Sequence, residues 1–237
     1  MLIYLDVETT GLAEGDRICA LGAIGVEADR VSVCGELIHP QQKIRADSMM
    51  IHHITNEMVK QESTFDKSSV LPWLQERNHS DHTLVLHHSS FDMTMLQKEG
   101  FVWQGKIIDT LRCTQHLIPD CDQFSLQFLR YELQLYKTEE SMATSLGITI
   151  QPHHALSDAL HVKLLYEYLR ALADENTLLL LTQTPVLIQK FPFGKYQGRY
   201  IEEIVMYDSG YVQWLRQQLD ETQEDLHHSL DHYLSLL

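Results

Sequence analysis

A chain of 237 residues with 44% hydrophobic content can bury one full domain core and a small appendage. Its formal net charge of −15 argues against tight, non-specific gripping of duplex nucleic acid, which needs a basic face. It does not exclude an enzyme that holds a few terminal nucleotides through metal ions. No apolar run approaches the ~18 residues needed to span a bilayer, and Asp6 and Glu8 interrupt the stretch where a signal peptide needs its apolar core, so a cytoplasmic protein with no membrane partner is expected. Cys19, Cys34, Cys113 and Cys121 form no C-x-x-C pair and are expected to be reduced and mostly buried.

Leu2-Ile3-Tyr4-Leu5 opens the chain as a β-branched and aromatic strand of the kind usually buried. Asp6 and Glu8 follow at i and i+2, which puts both carboxylates on one face, roughly 6.5–7 Å apart. Two anions closing an otherwise apolar strand repel each other and lose hydration unless a cation compensates. One reading is a strand that runs into its polar turn at Thr9-Thr10-Gly11. The other is a divalent-metal site at the strand's carboxyl end, followed by backbone that can approach a ligand closely.

Arg17 to Glu27 and Val31 to His39 read as a hairpin around Glu27-Ala28-Asp29-Arg30. After a polar stretch, Thr55 is expected to cap a short helix, and Lys67 to Asn78 reads as an amphipathic helix with Val70, Leu71 and Leu74 inward. Thr83 to Leu86 is a short buried strand, followed by a helix from Ser90 to about Glu99 that carries Asp92 in its first turn. Trp103 to Ile108 reaches a last strand, Asp109 caps the helix that runs to Leu117, and Ser125 to Leu133 is another helix. Gln134 to Gln151 is expected to be loop-rich. Pro152 ends that loop, and a long helix from Ala155 to Ala173 shows its apolar stripe at Leu156, Ala159, Leu160, Leu164, Tyr168 and Leu172.

Strands first and alternation afterwards indicate an α/β layer fold on a mixed sheet. The organisation expected is a main domain over residues 1–173 and a linker over 174–185, with a short helix at Leu178 to Leu181. A small α+β appendage follows over 186–237, with a strand at Val186 to Phe193, a turn at Gly194 to Gly198 and two or three helices. In that appendage Lys190, Lys195 and Arg199 interleave with Phe191, Phe193, Tyr196 and Tyr200. Such a basic-aromatic stretch is a candidate contact for a single strand, or a hairpin whose rings simply pack. The pairs His52-His53, His87-His88 and His227-His228 lack carboxylates at zinc-binding spacing and read as solvated or core histidines.

Three segments away from the first strand offer metal chemistry: Asp92 in Leu86-His87-His88-Ser89-Ser90-Phe91-Asp92, Asp109 in Ile108-Asp109-Thr110, and His153-His154-Ala155-Leu156-Ser157-Asp158. Each has a plain alternative: a first-turn aspartate, a helix cap, a solvated loop histidine. Their order is more specific than any one of them. Asp-x-Glu on the first strand, His-x-x-x-Phe-Asp after a middle strand and His-x-x-x-x-Asp opening the last long helix resemble the DEDDh family of 3′→5′ exonucleases on the ribonuclease H-like fold. The resemblance covers roughly Met1 to Ala173. Phe191-Pro192-Phe193-Gly194-Lys195-Tyr196-Gln197-Gly198 and Asp208 to Leu215 extend it toward the exonuclease X-like members.

The resemblance implies a five-stranded mixed sheet flanked by helices, with Asp6, Glu8, Asp92 and Asp158 as ligands of two Mg²⁺ or Mn²⁺ ions and His153 as general base. Hard divalent cations of this kind prefer oxygen ligands. It implies substrate contacts at Thr9, Thr10, Gly11, Leu12 and His52, and near His87, His88 and Phe91, with Lys195 and Arg199 as candidates in the tail. The reaction implied is release of nucleoside 5′-monophosphates from a nucleic acid with a free 3′ end, DNA favoured through the tail. An RNA-trimming member of the same family and a catalytically silent nuclease-fold module are the rival readings, and homodimerisation stays open. Two departures stand out: the family commonly has asparagine where His88 stands, and a less acidic surface.

Overall fold

The computed structural model describes residues 1–151 and 153–237, the side chain of Glu221 excepted; the expected loop end at Pro152 lies outside the described residues. By contacts the chain forms two compact units, residues 1–182 and 183–237.

The larger unit is built on five strands in the order β3-β2-β1-β4-β5. β1 (Leu2–Thr9), β2 (Ile18–Glu27) and β3 (Arg30–Leu37) form an antiparallel meander, and β4 (Thr83–Leu86) and β5 (Lys106–Asp109) add in parallel to the other side of β1. Between them run α1 (Ala46–His52), α2 (Asn56–Val59), α3 (Val70–Arg77) and α4 (Ser89–Lys98). After β5 come α5 (Thr110–Leu117), α6 (Leu126–Glu132), α7 (Tyr136–Leu146), α8 (Ala155–Leu172) and α9 (Glu175–Gln183). The expected hairpin, sheet and capping residues are present: Thr55 accepts from Met58 N, and Asp109 accepts from Leu111 N at 3.0 Å.

Alternation along β1 decides which helices it meets. Ile3, Leu5 and Val7 lie in a core with Leu84, Leu86, Val70, Leu74, Met95 and Leu96, on the side of α3 and α4. Tyr4 lies in a second core with Ile24, Val85, Ile108 and Leu160, Leu165 and Leu169 of α8. Asp6 and Glu8 share the parity of Tyr4, so they face α8 beyond the apolar layer. The approach of α8 depends on Gly22, which pairs with Asp6 across the ladder. A Cβ there would lie 2.2 Å from Leu156 N and 2.4 Å from the carbonyl carbon of Ala155. Glycine in a buried strand often marks such a close backbone approach.

Several sequence expectations are changed by the structure. The segment Gln134 to Gln151 holds α7, closed by Gly147 at φ 68°; its helical pattern is faint because Glu139, not an apolar residue, is the side chain it buries besides Ala143. On α8 Tyr168 and Leu172 are exposed, whereas Val162, Leu165, Tyr166 and Leu169 are buried, because the helix is covered by the sheet and by α5, α6 and α7 rather than along one stripe. The short helix expected at Leu178 to Leu181 lies within the longer α9, which buries Leu178 in the larger unit's core, and Thr182 Oγ1 accepts from Asp109 N at 2.9 Å.

In the smaller unit the expected strand at Val186 to Phe193 shortens to a single Lys190–Tyr200 bridge, so the α+β appendage is helical among the described residues. α10 (Ile201–Tyr207), α11 (Ser209–Gln218) and α12 (Glu224–Leu234) enclose Phe191, Ile204, Val205, Val212, Leu215, Leu226 and Leu230.

Gly22→Ala is expected to cost roughly 1–3 kcal/mol in urea denaturation, the usual penalty of overpacking. Gly15→Ala, whose methyl would meet nothing within 4 Å, is expected to leave stability unchanged.

Candidate active site

The carboxyl end of β1, the first turn of α4 and the first turn of α8 meet at one place. Ligand oxygens of Asp6, Glu8 and Asp158 lie within 4.8 Å of one another, with Asp158 buried and the other two half-buried. Asp92, buried in the first turn of α4, lies outside that tight set but close enough to act electrostatically on both Asp6 and Glu8. It reaches over from the opposite face of the sheet. β1 pairs with β4 only through Leu2, Ile3 and Tyr4, which leaves the backbone N–H of Val7 to support the Asp92 carboxylate.

The titration behaviour follows from this crowding. Burial first, then the charges of Asp158, Asp92 and Glu8, push the Asp6 carboxyl well above its ordinary range. Burial, then Asp158 and Asp92, push Glu8 up to about 8. Asp92 is raised mainly by burial, with Asp109 adding to it. An all-oxygen set of crowded carboxylates fits a hard divalent cation: it is the donor chemistry such ions prefer, and positive charge is what the cluster lacks.

Asp109 is a residue whose wider role the sequence reading missed. Besides capping α5, it accepts from His88 N at 3.1 Å and from Ser89 N and Ser89 Oγ at 2.8 Å each. It therefore sets the β4–α4 turn that delivers Asp92. His88 within that turn has φ 75°, a left-handed position where asparagine and histidine are both enriched, so this departure from the family's asparagine keeps the backbone. The His88 ring is exposed and stacked 6.5 Å from Phe91.

Several residues expected near substrate have internal partners instead. Thr10 is fully buried, its hydroxyl donating to Asp16 Oδ1 at 2.7 Å and accepting from Arg17 N and Gln42 Nε2. His52 Nδ1 accepts from Ile54 N at 3.0 Å, so Nε2 carries the proton and donates to Thr9 O at 3.2 Å; burial lowers its pKa. His87 spans Thr110 Oγ1 and Phe124 O, with its pKa also lowered mainly by burial. The Thr9 hydroxyl donates to Gly11 O at 2.9 Å. Gly11 leaves room for Arg45 and Asp16, which an added Cβ would strike at 2.2 and 2.5 Å. The loop is further held by Arg17, bonded through Nε and Nη2 to the buried Glu99 at 2.7 and 2.5 Å. What it presents outward is Leu12, 83% exposed. His153 is exposed on the turn before α8, at φ 54°. In the smaller unit Lys195 pairs with Asp208 at 3.0 Å and Arg199 with Glu203 at 3.2 Å, so both cations are neutralised locally.

Residues 3–166 match a family model described as "Exonuclease". The chain belongs to the exonuclease family, and so is a hydrolase that cleaves nucleic-acid chains from an end. A second match, described as "Exodeoxyribonuclease X-like C-terminal", covers residues 191–220. Along its whole length the chain is similar to Exodeoxyribonuclease 10 of Escherichia coli K12, 29% identical over 242 residues that cover 99% of each protein. It is also similar to the DNA polymerase III subunit epsilon of Treponema pallidum, 30% identical over 65% of this chain and 68% of that protein. Among solved structures it resembles Exonuclease X in complex with 5′ overhanging duplex DNA, with TM-score 0.57 and 22% identity over 77% of this chain and 99% of the other. It also resembles Escherichia coli Exonuclease I in complex with a dA16 oligonucleotide, with TM-score 0.52 and 15% identity over 74% of this chain and 41% of the other. At these identities the two structures bear on the fold alone. Among the described residues no helix is long and apolar enough to cross a membrane.

The raised carboxyls make a signed prediction. Between about pH 7 and 8, where His52 and His87 are mostly deprotonated even in the unfolded chain, the unfolded chain has released carboxyl protons that the folded site still holds. Stability without metal must then fall as pH rises, for Glu8 until its pKa near 8 is passed. In thermal melts with a chelator the Tm is expected to drop across that window, and Asp6→Asn is expected to raise it at the alkaline end.

Proposed function

We propose that this exonuclease removes nucleoside 5′-monophosphates successively from the 3′ end of DNA at the cluster formed by Asp6, Glu8, Asp92 and Asp158. The observation that carries the reading is the convergence of Asp158 with Asp6 and Glu8, far from it along the chain, within 4.8 Å. The names of the relatives support the polarity and substrate: exodeoxyribonuclease for one, DNA polymerase subunit for another, and 3′-5′ exonuclease for the DinG protein of Bacillus subtilis.

Asp6, Glu8 and Asp158 would hold one divalent cation, and Asp6 with Asp92 a second. A bound pair of Mg²⁺ or Mn²⁺ ions supplies charge relief on the scissile phosphate and makes water easier to deprotonate. The chain's own groups do the rest. The turn over residues 9–12, fixed by Asp16, Ser48 and His52, offers a rigid ledge on which the exposed Leu12 side chain meets the terminal base. His88 and Phe91, next to Asp92 at the start of α4, supply a second contact surface for the substrate. His153 takes the proton from the attacking water at a ring nitrogen, and its place on an exposed turn lets it swing in once the 3′ end is seated. In the smaller unit the exposed rings of Phe193, Tyr200, Tyr207 and Trp214 supply stacking surface for a single strand. Lys195 and Arg199 add little there, because their charges are already paired.

Labelled single-stranded DNA, duplex DNA and RNA, incubated with Mg²⁺ and resolved by product length, test activity, polarity and sugar preference together. Asp6→Asn and Asp158→Asn are expected to abolish hydrolysis while the protein stays folded; a folded variant with near-normal activity defeats the assignment. His153→Ala is expected to lower kcat by about 10²–10⁴-fold. Trp214→Ala is expected to weaken single-strand binding, about 1–3 kcal/mol per lost stack; unchanged anisotropy titrations would leave that ring without a substrate role.

A further inference from the structure

Asp158 is held from behind by a ring of side chains drawn from three helices. Gln127 Nε2 donates to Asp158 Oδ1 at 2.7 Å, and His161 Nδ1 meets the same oxygen at 3.0 Å. A carboxylate that serves as a metal ligand only accepts, so in that role Asp158 takes a hydrogen bond from both partners. Among the described residues no hydrogen bond reaches Oδ2. The ring continues through His161 Nε2, 3.2 Å from Glu139 Oε2 but too poorly aligned for a hydrogen bond. Arg130 then grips Glu139 through Nε at 2.6 Å and Nη2 at 2.5 Å, and its Nη1 donates to Gln127 Oε1 at 3.3 Å.

Five residues from three helices thus close on themselves: Gln127 and Arg130 one turn apart on α6, Glu139 on α7, Asp158 and His161 one turn apart on α8. His161 is fully buried, and Arg130, Glu139 and Asp158 nearly so. Burying an ion pair and a histidine generally costs more than packing apolar side chains of the same volume. The pay-off lies in geometry: the orientation of a ligand oxygen is set by what bonds the other atoms of its carboxylate.

We propose that Gln127 and His161, braced by Glu139 and Arg130, are positioning residues that tie up Oδ1 of Asp158 and aim Oδ2 at the divalent cation. The proposal rests on the metal reading of the cluster given above. It assigns α6 and α7, remote from β1, a part in metal affinity.

The test is Mn²⁺ binding by the full-length protein without DNA, read by paramagnetic resonance of the free ion, beside kcat and KM on a single-stranded oligonucleotide. Gln127→Leu, at a half-buried position, and His161→Leu are each expected to weaken Mn²⁺ binding about 10–100-fold and to lower kcat with KM for DNA unchanged. His161→Asn, whose side-chain amide can replace the Nδ1 donor, is expected to recover most of both. Should His161→Leu fail to fold, Gln127→Leu and His161→Asn carry the test. Normal Mn²⁺ binding by Gln127→Leu overturns the proposal and leaves the metal reading standing. A wild-type protein that binds no Mn²⁺ overturns the metal reading and this proposal with it.

Discussion

Lost hydration, together with mutual repulsion, among clustered carboxylates is the constraint around which the larger unit is arranged. Asp6, Glu8, Asp92 and Asp158 lose hydration and crowd each other, and the rise of Glu8 to about 8 records how unfavourable their joint ionisation is without a compensating cation. A chain selected only for stability would not place four acids there. Those acids come from three elements whose positions owe nothing to them: β1 in the middle of the sheet, α4 on one face and α8 on the other. The apolar cores on both faces hold these elements while the acids push apart.

Close approach does the remaining work. Gly22 lets the start of α8 lie against β2 opposite Asp6, and the short pairing of β1 with β4 leaves Val7 N–H turned to Asp92. Asp109 ties the β4–α4 turn through His88 and Ser89, while α9 anchors Asp109 through Thr182. A side chain that looks like a helix cap therefore transmits the position of α9 to a candidate metal ligand. The loop after β1 follows the same logic: Thr10, His52 and Arg17 spend their polar groups on internal partners, so Leu12 can project from rigid backbone.

The formal charge of −15 is compatible with a nuclease if grip on the substrate is left to bound cations and ring stacking rather than to basic side chains. The smaller unit fits that division. Lys195, Arg199 and Arg216 are paired with neighbouring acids and Lys190 lies over the Tyr200 ring, whereas several of its rings stay exposed.

The amino-acid sequence determined the order of the five sheet strands and of most helices of the larger unit, the two carboxylates on one face of β1, the caps at Thr55 and Asp109 and the identity of the acidic residues, because these depend on local periodicity and on motifs a few residues long. The buried ring behind Asp158, the internal roles of Thr10, His52 and His87 and the helix α7 were decided by tertiary structure alone. Glu139 reads as a surface acid until α6 brings Arg130 to it, and a threonine or histidine beside a reactive site reads as a ligand contact until its partners are known. Hydrogen-bond partners drawn from helices far apart in the chain leave no periodic trace, and whether a polar side chain turns inward or outward is settled only when all of its neighbours are in place.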